Sequence, residues 1–271
     1  MRHPGLYYDS KFLMEADEKR ILDYLSELHP LWENRYSKHR PPPAGESQRQ
    51  LLRPVYWLGN WQFACLDYYR PPKGTAFRCV RAEPYPEVLQ RLVNKMEKIT
   101  FQQFRPKDIP KGWKLNTCLV NFYGSHLENG KLVDAARVGE HKDFEPGPVA
   151  SLSLGERAFF QFVDSRGRGR PSQVVFQQWL ENGSLQIFGG ERYKQHLFHR
   201  VQRVEKKQGI QFPIKVQNFQ TRRVNFTFRF VPEEHILPLK KFPKDLLEDL
   251  LPYAKELAQH SEFFSSEIKN I

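Results

Sequence analysis

The stretch "RRVNFTFRF", residues 222–230, alternates polar and apolar side chains with a period of two. This is the repeat of a β-strand, because successive side chains of a strand point to opposite faces of its sheet. Its polar row comprises Arg223, Asn225, Thr227 and Arg229. The aromatic row predicts packing against the body of the fold. The polar row then faces either solvent, as on a charged edge strand, or an internal cavity.

Six further runs rich in Val, Phe, Ile, Leu and Thr precede this strand from residue 114 onward, and turn signals separate them. They are "KLNTCLVNFYG", "GPVASLSLG", "AFFQFVD", "SQVVFQQWL", "GSLQIFGG" and "HLFHRVQRVE". A series of short strands divided by turns is typical of a β-sandwich or jelly roll. The region from 114 to 231 is therefore predicted to form an all-β core.

Three segments outside this core have the 3 and 4 spacing of apolar residues that predicts a helix face turned to the core. They are "EADEKRILDYLSELHPLW" from residue 15, "YPEVLQRLVNKMEKIT" from residue 85 and "PKDLLEDLLPYAKELAQHSEF" from residue 243. Pro252 is expected to kink or divide the third helix, since proline lacks the N–H that the helix needs. We predict one globular α+β unit with regions 1–113, 114–231 and 232–271.

The composition favours a polyanionic partner. Lys and Arg number 42 against 31 Asp and Glu, so the formal net charge is +11, as in many nucleic-acid-binding proteins. The three cysteines have no C-x-x-C spacing, which argues against a disulfide framework or a zinc ribbon. No apolar run is long enough for a signal peptide or a membrane span. We expect a monomer in the cytoplasm or nucleus, with no membrane partner.

The segment "GEHKDFEPGPVASLSLG", residues 139–155, carries His141 and Asp143 two residues apart and on one face of a strand. An imidazole and a carboxylate are two of the three ligands in the 2-His-1-carboxylate triad of iron(II) oxygenases. A later run, "KQHLFHRVQRV", offers His196 and His199 as the second histidine. We favour His199, which shares its face with apolar residues, and keep His196 as the alternative. A histidine on an apolar face is also common as an ordinary core residue.

Two arginines on the polar row indicate a site for an anion. An unpaired buried charge is very costly, so Arg223 and Arg229 in a cavity require an anionic partner. The guanidinium fork suits a carboxylate. In "VNFYG", Asn121 and Tyr123 share a face and can both hydrogen-bond an acid. The alternatives are a charged edge strand for the arginines and ordinary strand polar groups for the other two.

Together the motifs N-x-Y, H-x-D, a distal histidine and R-x-N-x-T-x-R occur here in the order that resembles the AlkB family of iron(II)- and 2-oxoglutarate-dependent nucleic-acid dealkylases. "GEHKD", "GPVASLSLG" and "FVDSRG" are similar to the subgroup that repairs double-stranded DNA. The resemblance is strong over 114–231 and weaker over 5–113. It implies a double-stranded β-helix (jelly-roll) core with flanking N-terminal helices and a nucleotide-recognition lid. The C-terminal helix is an addition to that pattern.

The resemblance also implies roles for individual residues. It assigns the catalytic iron to His141, Asp143 and His199. It assigns 2-oxoglutarate to Asn121, Tyr123, Arg223, Asn225 and Arg229, with Arg223 on the distal carboxylate and Arg229 near the carboxylate beside the keto group. Substrate contacts are expected from Phe144, Glu145, Trp57, Trp61 and Phe63. The three last aromatics belong to the lid and would stack on an extruded base, unless they are core residues.

The implied activity is oxidative demethylation of N-alkylated bases such as 1-methyladenine and 3-methylcytosine, with iron(II), O₂ and 2-oxoglutarate, releasing succinate, CO₂ and formaldehyde. Alkylated DNA is the expected partner and RNA the alternative substrate. Two other functions remain open at this point. One is a 2-oxoglutarate oxygenase that acts on protein side chains, and the other is a catalytically silent nucleic-acid-binding protein of the same fold.

Overall fold

The computed structural model describes residues 4–34, 42, 44–45, 50–62, 79–167, 170–202, 212 and 214–271. In this part of the chain the strands are β1 Leu6–Asp9, β2 Val55–Leu58, β3 Asn60–Gln62, β4 Cys79–Arg81, β5 Thr117–Glu128, β6 Lys131–Asp134, β7 Val138–His141, β8 Val149–Gly155, β9 Ala158–Val163, β10 Val174–Leu180, β11 Leu185–Phe188, β12 Phe198–Gln202, β13 Lys215–Val216, β14 Phe219–Arg229 and β15 Ile236–Leu237. The helices are α1 Glu15–Glu27, α2 Glu87–Gln103, α3 Lys244–Leu257 and α4 Glu262–Lys269. Short 3₁₀ turns lie at Pro106–Asp108, Glu233–His235 and Leu239–Lys241, and one π-helical turn spans Glu191–His196.

The strands form two antiparallel sheets and a small third one. The large sheet has the order β1-β11-β8-β14-β5-β2, with β6 paired to β5 and β13 to β14. The four-stranded sheet has the order β10-β9-β12-β7. From β7 to β14 the chain passes repeatedly between these two sheets, as it does in a jelly roll: β7, β9, β10 and β12 belong to the four-stranded sheet, and β8, β11, β13 and β14 belong to the large one. The third sheet, β15-β4-β3, joins a C-terminal strand to two N-terminal ones.

Strand β14 lies between β8 and β5, in the middle of the large sheet. Its apolar row, Val224, Phe226 and Phe228, is fully buried in one hydrophobic core with the inner faces of α1 and α2. Arg223 and Arg229 on the opposite face are also buried. Because β14 is not an edge strand and these polar side chains are buried, the polar row faces the space between the large sheet and the four-stranded sheet. Of the two alternatives left by the sequence, the internal cavity is correct.

A second, smaller apolar cluster packs the four-stranded sheet against the large one. Phe160 and Phe162 of β9 contact Phe188 of β11, with ring centroids 6.2 and 5.4 Å apart. Val149 of β8 belongs to the same cluster. These rings close one end of the jelly roll, and the polar space between the sheets lies beside them, next to the His199 ring, whose centroid is 5.1 Å from that of Phe188.

The structure corrects two details of the predicted extensions. The N-terminal region is not only helical, because β1 and β2 form the two edges of the large sheet. Helix α3 continues through Pro252, and its break comes after Leu257. The buried face of α3, with Leu246, Leu250 and Leu257, holds the helix together across the one backbone hydrogen bond that proline removes. Among the helices of the described segments, none has the length and apolar character needed to cross a membrane.

Candidate active site

Three side chains that could bind a metal meet between the sheets. His141 is the last residue of β7, and it lies opposite His199 where β7 pairs with β12. Asp143 follows in the loop after β7. One donor atom from each of the three lies within 4.8 Å of the others. The strand alternation assumed for His141 and Asp143 is wrong, because β7 ends at His141. The loop nevertheless turns the carboxylate to the same point.

Arg229 orients this carboxylate. Its Nε and Nη2 contact Oδ1 of Asp143 at 2.9 and 2.8 Å. The other oxygen, Oδ2, lies 3.4 Å from Nε2 of His199 and has no hydrogen-bond partner among the described residues. The two oxygens are therefore divided between an orienting arginine and the space shared with the histidines. Metal-binding carboxylates commonly have such an outer partner.

The protonation states also suit a metal. Burial lowers the pKa values of His141 and His199, so both imidazoles are held in the neutral form that coordinates metals. Nδ1 of His141 donates to the carbonyl of Gly139 at 2.8 Å, which leaves Nε2 available as the ligand atom. Burial alone would raise the pKa of Asp143, but the Arg229 guanidinium beside it lowers that pKa below its ordinary value. Two neutral imidazoles and an ionised carboxylate are the donor set that fits iron(II).

Arg223 supplies a partly unsatisfied guanidinium in the same cavity. Nη2 donates to Oγ of Ser153 at 3.1 Å, and the guanidinium carbon lies 4.8 Å from the centroid of the Tyr123 ring. Nε and Nη1 are buried without a hydrogen-bond partner in the described part of the chain. Burial lowers the pKa of Arg223, which shows the cost of placing a charge here. A buried guanidinium with nitrogen atoms still available to donate suits an anionic partner such as a carboxylate, so the residues present fit 2-oxoglutarate.

The other residues assigned to 2-oxoglutarate form contacts with neighbouring side chains and backbone of the protein. Oδ1 of Asn121 accepts a 2.9 Å hydrogen bond from Nε of Arg53, whose guanidinium carbon lies 4.7 Å from the Tyr123 centroid. Asn225 donates to Oγ of Ser151 and to the carbonyl of Leu152, at 2.8 and 3.0 Å. Asn225 therefore joins β14 to β8. Arg229 was assigned to a carboxylate of 2-oxoglutarate. In the structure its guanidinium contacts the carboxylate of Asp143, a side chain of the protein itself.

The residues expected near the substrate differ in exposure. Phe144 is 42% exposed, whereas Glu145 is buried with Oε1 3.5 Å from Nε of Arg229. Oε2 of Glu145 has no hydrogen-bond partner within the described segments. His196, the alternative ligand, is wrong: it lies in the π-helical turn, its side chain is 65% exposed, and Nε2 is 3.4 Å from Oε1 of Glu191.

Trp57 and Trp61, which were expected to stack on a base, are core residues. Both are buried, and each indole N–H donates to Oε1 of Glu33 at 2.8 Å. Trp61 also packs against α3 and α4, with its ring centroid 6.3 Å from that of Tyr253 and 6.0 Å from that of Phe264. The stacking role assigned to these two residues is therefore corrected. Phe63 lies outside the described residues.

Glu33 gives the first testable prediction. Burial raises the pKa of its carboxyl from 4.5 to about 7, although the two indole hydrogen bonds oppose the shift. The folded protein thus keeps this proton to a higher pH than the unfolded chain, and stability falls as the pH rises from about 4.5 to about 7. We expect Glu33→Gln to remove this fall. It raises the free energy of unfolding at pH 8 by at most about 3 kcal/mol, at about 1.36 kcal/mol per pKa unit.

Thermal or urea unfolding at pH 4.5 and pH 8 measures the effect. Near pH 4.5 the wild-type carboxyl is protonated and resembles the amide, so the two proteins should have similar stability there. An equal difference between them at both pH values would contradict the assignment of a raised pKa to Glu33.

The sequence pattern did not identify Arg53 or Lys194. Arg53 is a lone charge in the apolar run "LLRPVYWLG", and such a charge is itself a sign of a buried ion or ligand contact. Lys194 lies in the π-helical turn, which has no regular sequence period. Its Nζ is buried without a hydrogen-bond partner in the described part of the protein, and burial lowers its pKa.

The chain was compared with protein families and with solved structures. A model of the 2OG-Fe(II) oxygenase superfamily matches residues 5–229. Among solved structures, the chain is similar to OsALKBH1 with 22% identity and a TM-score of 0.48, over 85% of this chain and 100% of that one. It is also similar to YcfD, a ribosomal oxygenase from Escherichia coli in complex with cobalt and succinic acid, with 10% identity and a TM-score of 0.35, over 98% and 67% of the two chains. No curated protein matches the chain.

Proposed function

Because the chain belongs to the 2OG-Fe(II) oxygenase superfamily, we propose that it is an AlkB-type enzyme that oxidatively demethylates N-alkylated bases in nucleic acid. Family membership makes the protein an oxygenase with iron(II) as cofactor and 2-oxoglutarate as co-substrate. The nucleic-acid substrate is our proposal. The observation that carries it is Glu145, a buried carboxylate two residues beyond Asp143, whose Oε2 has no hydrogen-bond partner among the described residues and can accept from a base.

Different side chains of the site would bind the metal and the co-substrate. His141, Asp143 and His199 would hold the metal, and Arg223 would hold the distal carboxylate of 2-oxoglutarate. When bound, iron and 2-oxoglutarate supply the activation of O₂ that oxidises the N-methyl carbon. The protein itself positions the methyl group and keeps water away from it. Arg229 orients the carboxylate of Asp143 through one of its oxygens. The Phe160 and Phe188 rings beside His199 keep that side of the site apolar.

Substrate recognition follows from the shape and charge of the protein. A base inside a duplex cannot reach a buried metal, so it must be extruded from the stack. The formal charge of +11 favours contact with the phosphate backbone. Glu145 can accept a hydrogen bond from the exocyclic amino group of an extruded adenine or cytosine. Phe144, exposed next to it, offers an apolar surface at the entrance.

Formaldehyde release tests the proposal. We expect formaldehyde from oligonucleotides that contain 1-methyladenine or 3-methylcytosine, in single-stranded DNA, double-stranded DNA or RNA, only when iron(II) and 2-oxoglutarate are both present. Unmethylated oligonucleotides of the same sequence are the control, and a peptide panel tests the protein-modifying alternative. Absence of formaldehyde from every methylated nucleic acid, with protein that still binds iron and 2-oxoglutarate, would show that the proposed substrate class is wrong.

A further inference from the structure

Arg53 is a buried arginine beside the residues assigned to 2-oxoglutarate, in the connection that leads into β2. Strand β2 runs antiparallel to β5, with Val55 opposite Asn121. When this register is continued by two residues, Arg53 comes to lie opposite Tyr123. The arginine therefore reaches the polar face of β5, although it is not itself part of a strand.

The same face of the large sheet carries a second guanidinium group in the next strand. Tyr123 is paired with Arg223 in the register of β5 and β14, as Asn121 is paired with Asn225. Side chains directly opposite each other in an antiparallel pair lie on one face of the sheet. The guanidinium carbons of Arg53 and Arg223 lie 4.7 and 4.8 Å from the centroid of the Tyr123 ring. Two positive charges thus contact one ring on the face turned to the space between the sheets.

These two charges lack a counter-charge from the protein. Neither Arg53 nor Arg223 forms a salt bridge with a carboxylate in the part of the chain that the structure describes. Arg222, next in sequence to Arg223, differs in this respect, because it pairs with Asp134 and Glu156. Two buried guanidinium groups beside one ring repel each other, so their arrangement favours an anion bound between the sheets.

Arg53 also determines which way the amide of Asn121 points. Its Nε donates to Oδ1 of Asn121 at 2.9 Å. Arginine has only donors, so this contact requires the amide oxygen, and not the nitrogen, on the side of Arg53. Nδ2 then lies on the other side of the amide as a donor. An ionised carboxylate only accepts hydrogen bonds, and it can therefore bind Asn121 only in this orientation.

We propose that Arg53 is a positioning residue for 2-oxoglutarate, which holds the amide of Asn121 with Nδ2 available to a carboxylate of the co-substrate. This inference rests on the proposed assignment of Asn121, Tyr123 and Arg223 to the co-substrate, and it is independent of the substrate that is oxidised. Because Arg53 acts through Asn121, its loss should weaken the binding of 2-oxoglutarate chiefly while Asn121 is present.

The test is the Kd for 2-oxoglutarate, measured by anaerobic titration of the iron-loaded protein without nucleic acid. We expect Arg53→Met to raise this Kd about tenfold, because it removes a buried charged hydrogen bond that orients Asn121. In an Asn121→Ala background the same substitution should raise it less than about threefold, since the amide that Arg53 orients is absent. Arg20→Met is the matched control: it removes an exposed arginine of α1 and should leave the Kd unchanged.

A second variant separates positioning from a loss of structure. Arg53→Lys keeps the charge and a donor, so it should raise the Kd less than Arg53→Met and retain iron binding. An unchanged Kd in Arg53→Met, an equal rise with and without Asn121, or loss of iron binding in both Arg53 variants overturns the inference and leaves the proposed nucleic-acid substrate standing. Wild-type protein that binds 2-oxoglutarate but demethylates no nucleic acid overturns the proposed substrate and leaves the role of Arg53 standing.

Discussion

Replacing Asp143 with alanine should abolish turnover while leaving the fold largely intact. The change removes one of three metal ligands. The loss of activity should therefore exceed the loss of about 10- to 100-fold that removal of an outer partner commonly causes. The fold should persist because Glu145 stays beside Arg229 as a counter-charge, 3.5 Å from its Nε. Iron binding, succinate release and circular dichroism together measure the three parts of this expectation.

Two further variants make the Asp143 result specific. Asp143→Asn keeps the shape and one oxygen that can accept from Arg229, so it isolates the charge of the ligand. Asp23→Ala removes an exposed carboxylate on α1 and should retain full activity. Turnover that survives in Asp143→Ala would show that the assigned metal ligands are wrong.

Replacing Arg223 with methionine should have the second largest effect. Loss of one partner of a buried charged pair costs about 2–5 kcal/mol, so we expect the Kd and KM for 2-oxoglutarate to rise by at least about 30-fold. Iron binding should be retained, because Arg223 contacts Ser153 and Tyr123 and not the proposed ligands. Titration of 2-oxoglutarate into the iron-loaded protein, under anaerobic conditions, measures the affinity directly.

The stability of Arg223→Met should differ from its affinity for 2-oxoglutarate, because only the affinity is expected to fall. Without co-substrate, Arg223 is a buried charge with two nitrogen atoms that have no hydrogen-bond partner in the described segments, so Arg223→Met should not destabilise the free protein and can stabilise it. Arg222 is different, since it pairs with Glu156 and Asp134 at 3.1 and 3.3 Å. Arg222→Met should lower the melting temperature. A destabilised Arg223→Met with unchanged affinity for 2-oxoglutarate would contradict the proposed role.

The regular part of the fold could be predicted from sequence because it repeats. Runs rich in β-branched and aromatic residues between turn signals predict the strands of the two main sheets, and the period of two in β14 separates a buried apolar row from a largely buried polar row. The order of the ligand motifs then identifies His141 and His199, which the structure places opposite each other on β7 and β12. In these cases the alternation along the strand predicts to which face of the sheet each side chain points.

Features that depend on distant or irregular segments could not be predicted in this way. Trp57 and Trp61 turn into the core because they share Glu33, which lies 24 and 28 residues away in sequence. Arg53 contacts Asn121 across 68 residues. Lys194 points inward because its turn is π-helical, and no periodic pattern marks such a turn. The loop that carries Asp143 is irregular as well, and its carboxylate is oriented by contacts with Arg229 and His199, which lie far away in sequence.

We propose that the site formed by His141, Asp143 and His199 removes a methyl group from a base in nucleic acid. The most direct test is the mass of an oligonucleotide with one 1-methylguanine, 1-methyladenine or 3-methylcytosine, before and after incubation with the iron-loaded protein, 2-oxoglutarate and O₂. We expect wild-type protein to convert at least one of them to the mass of the unmethylated oligonucleotide, and Asp143→Ala to convert none. Unchanged masses in every wild-type reaction, with succinate formed equally with and without oligonucleotide, would contradict it.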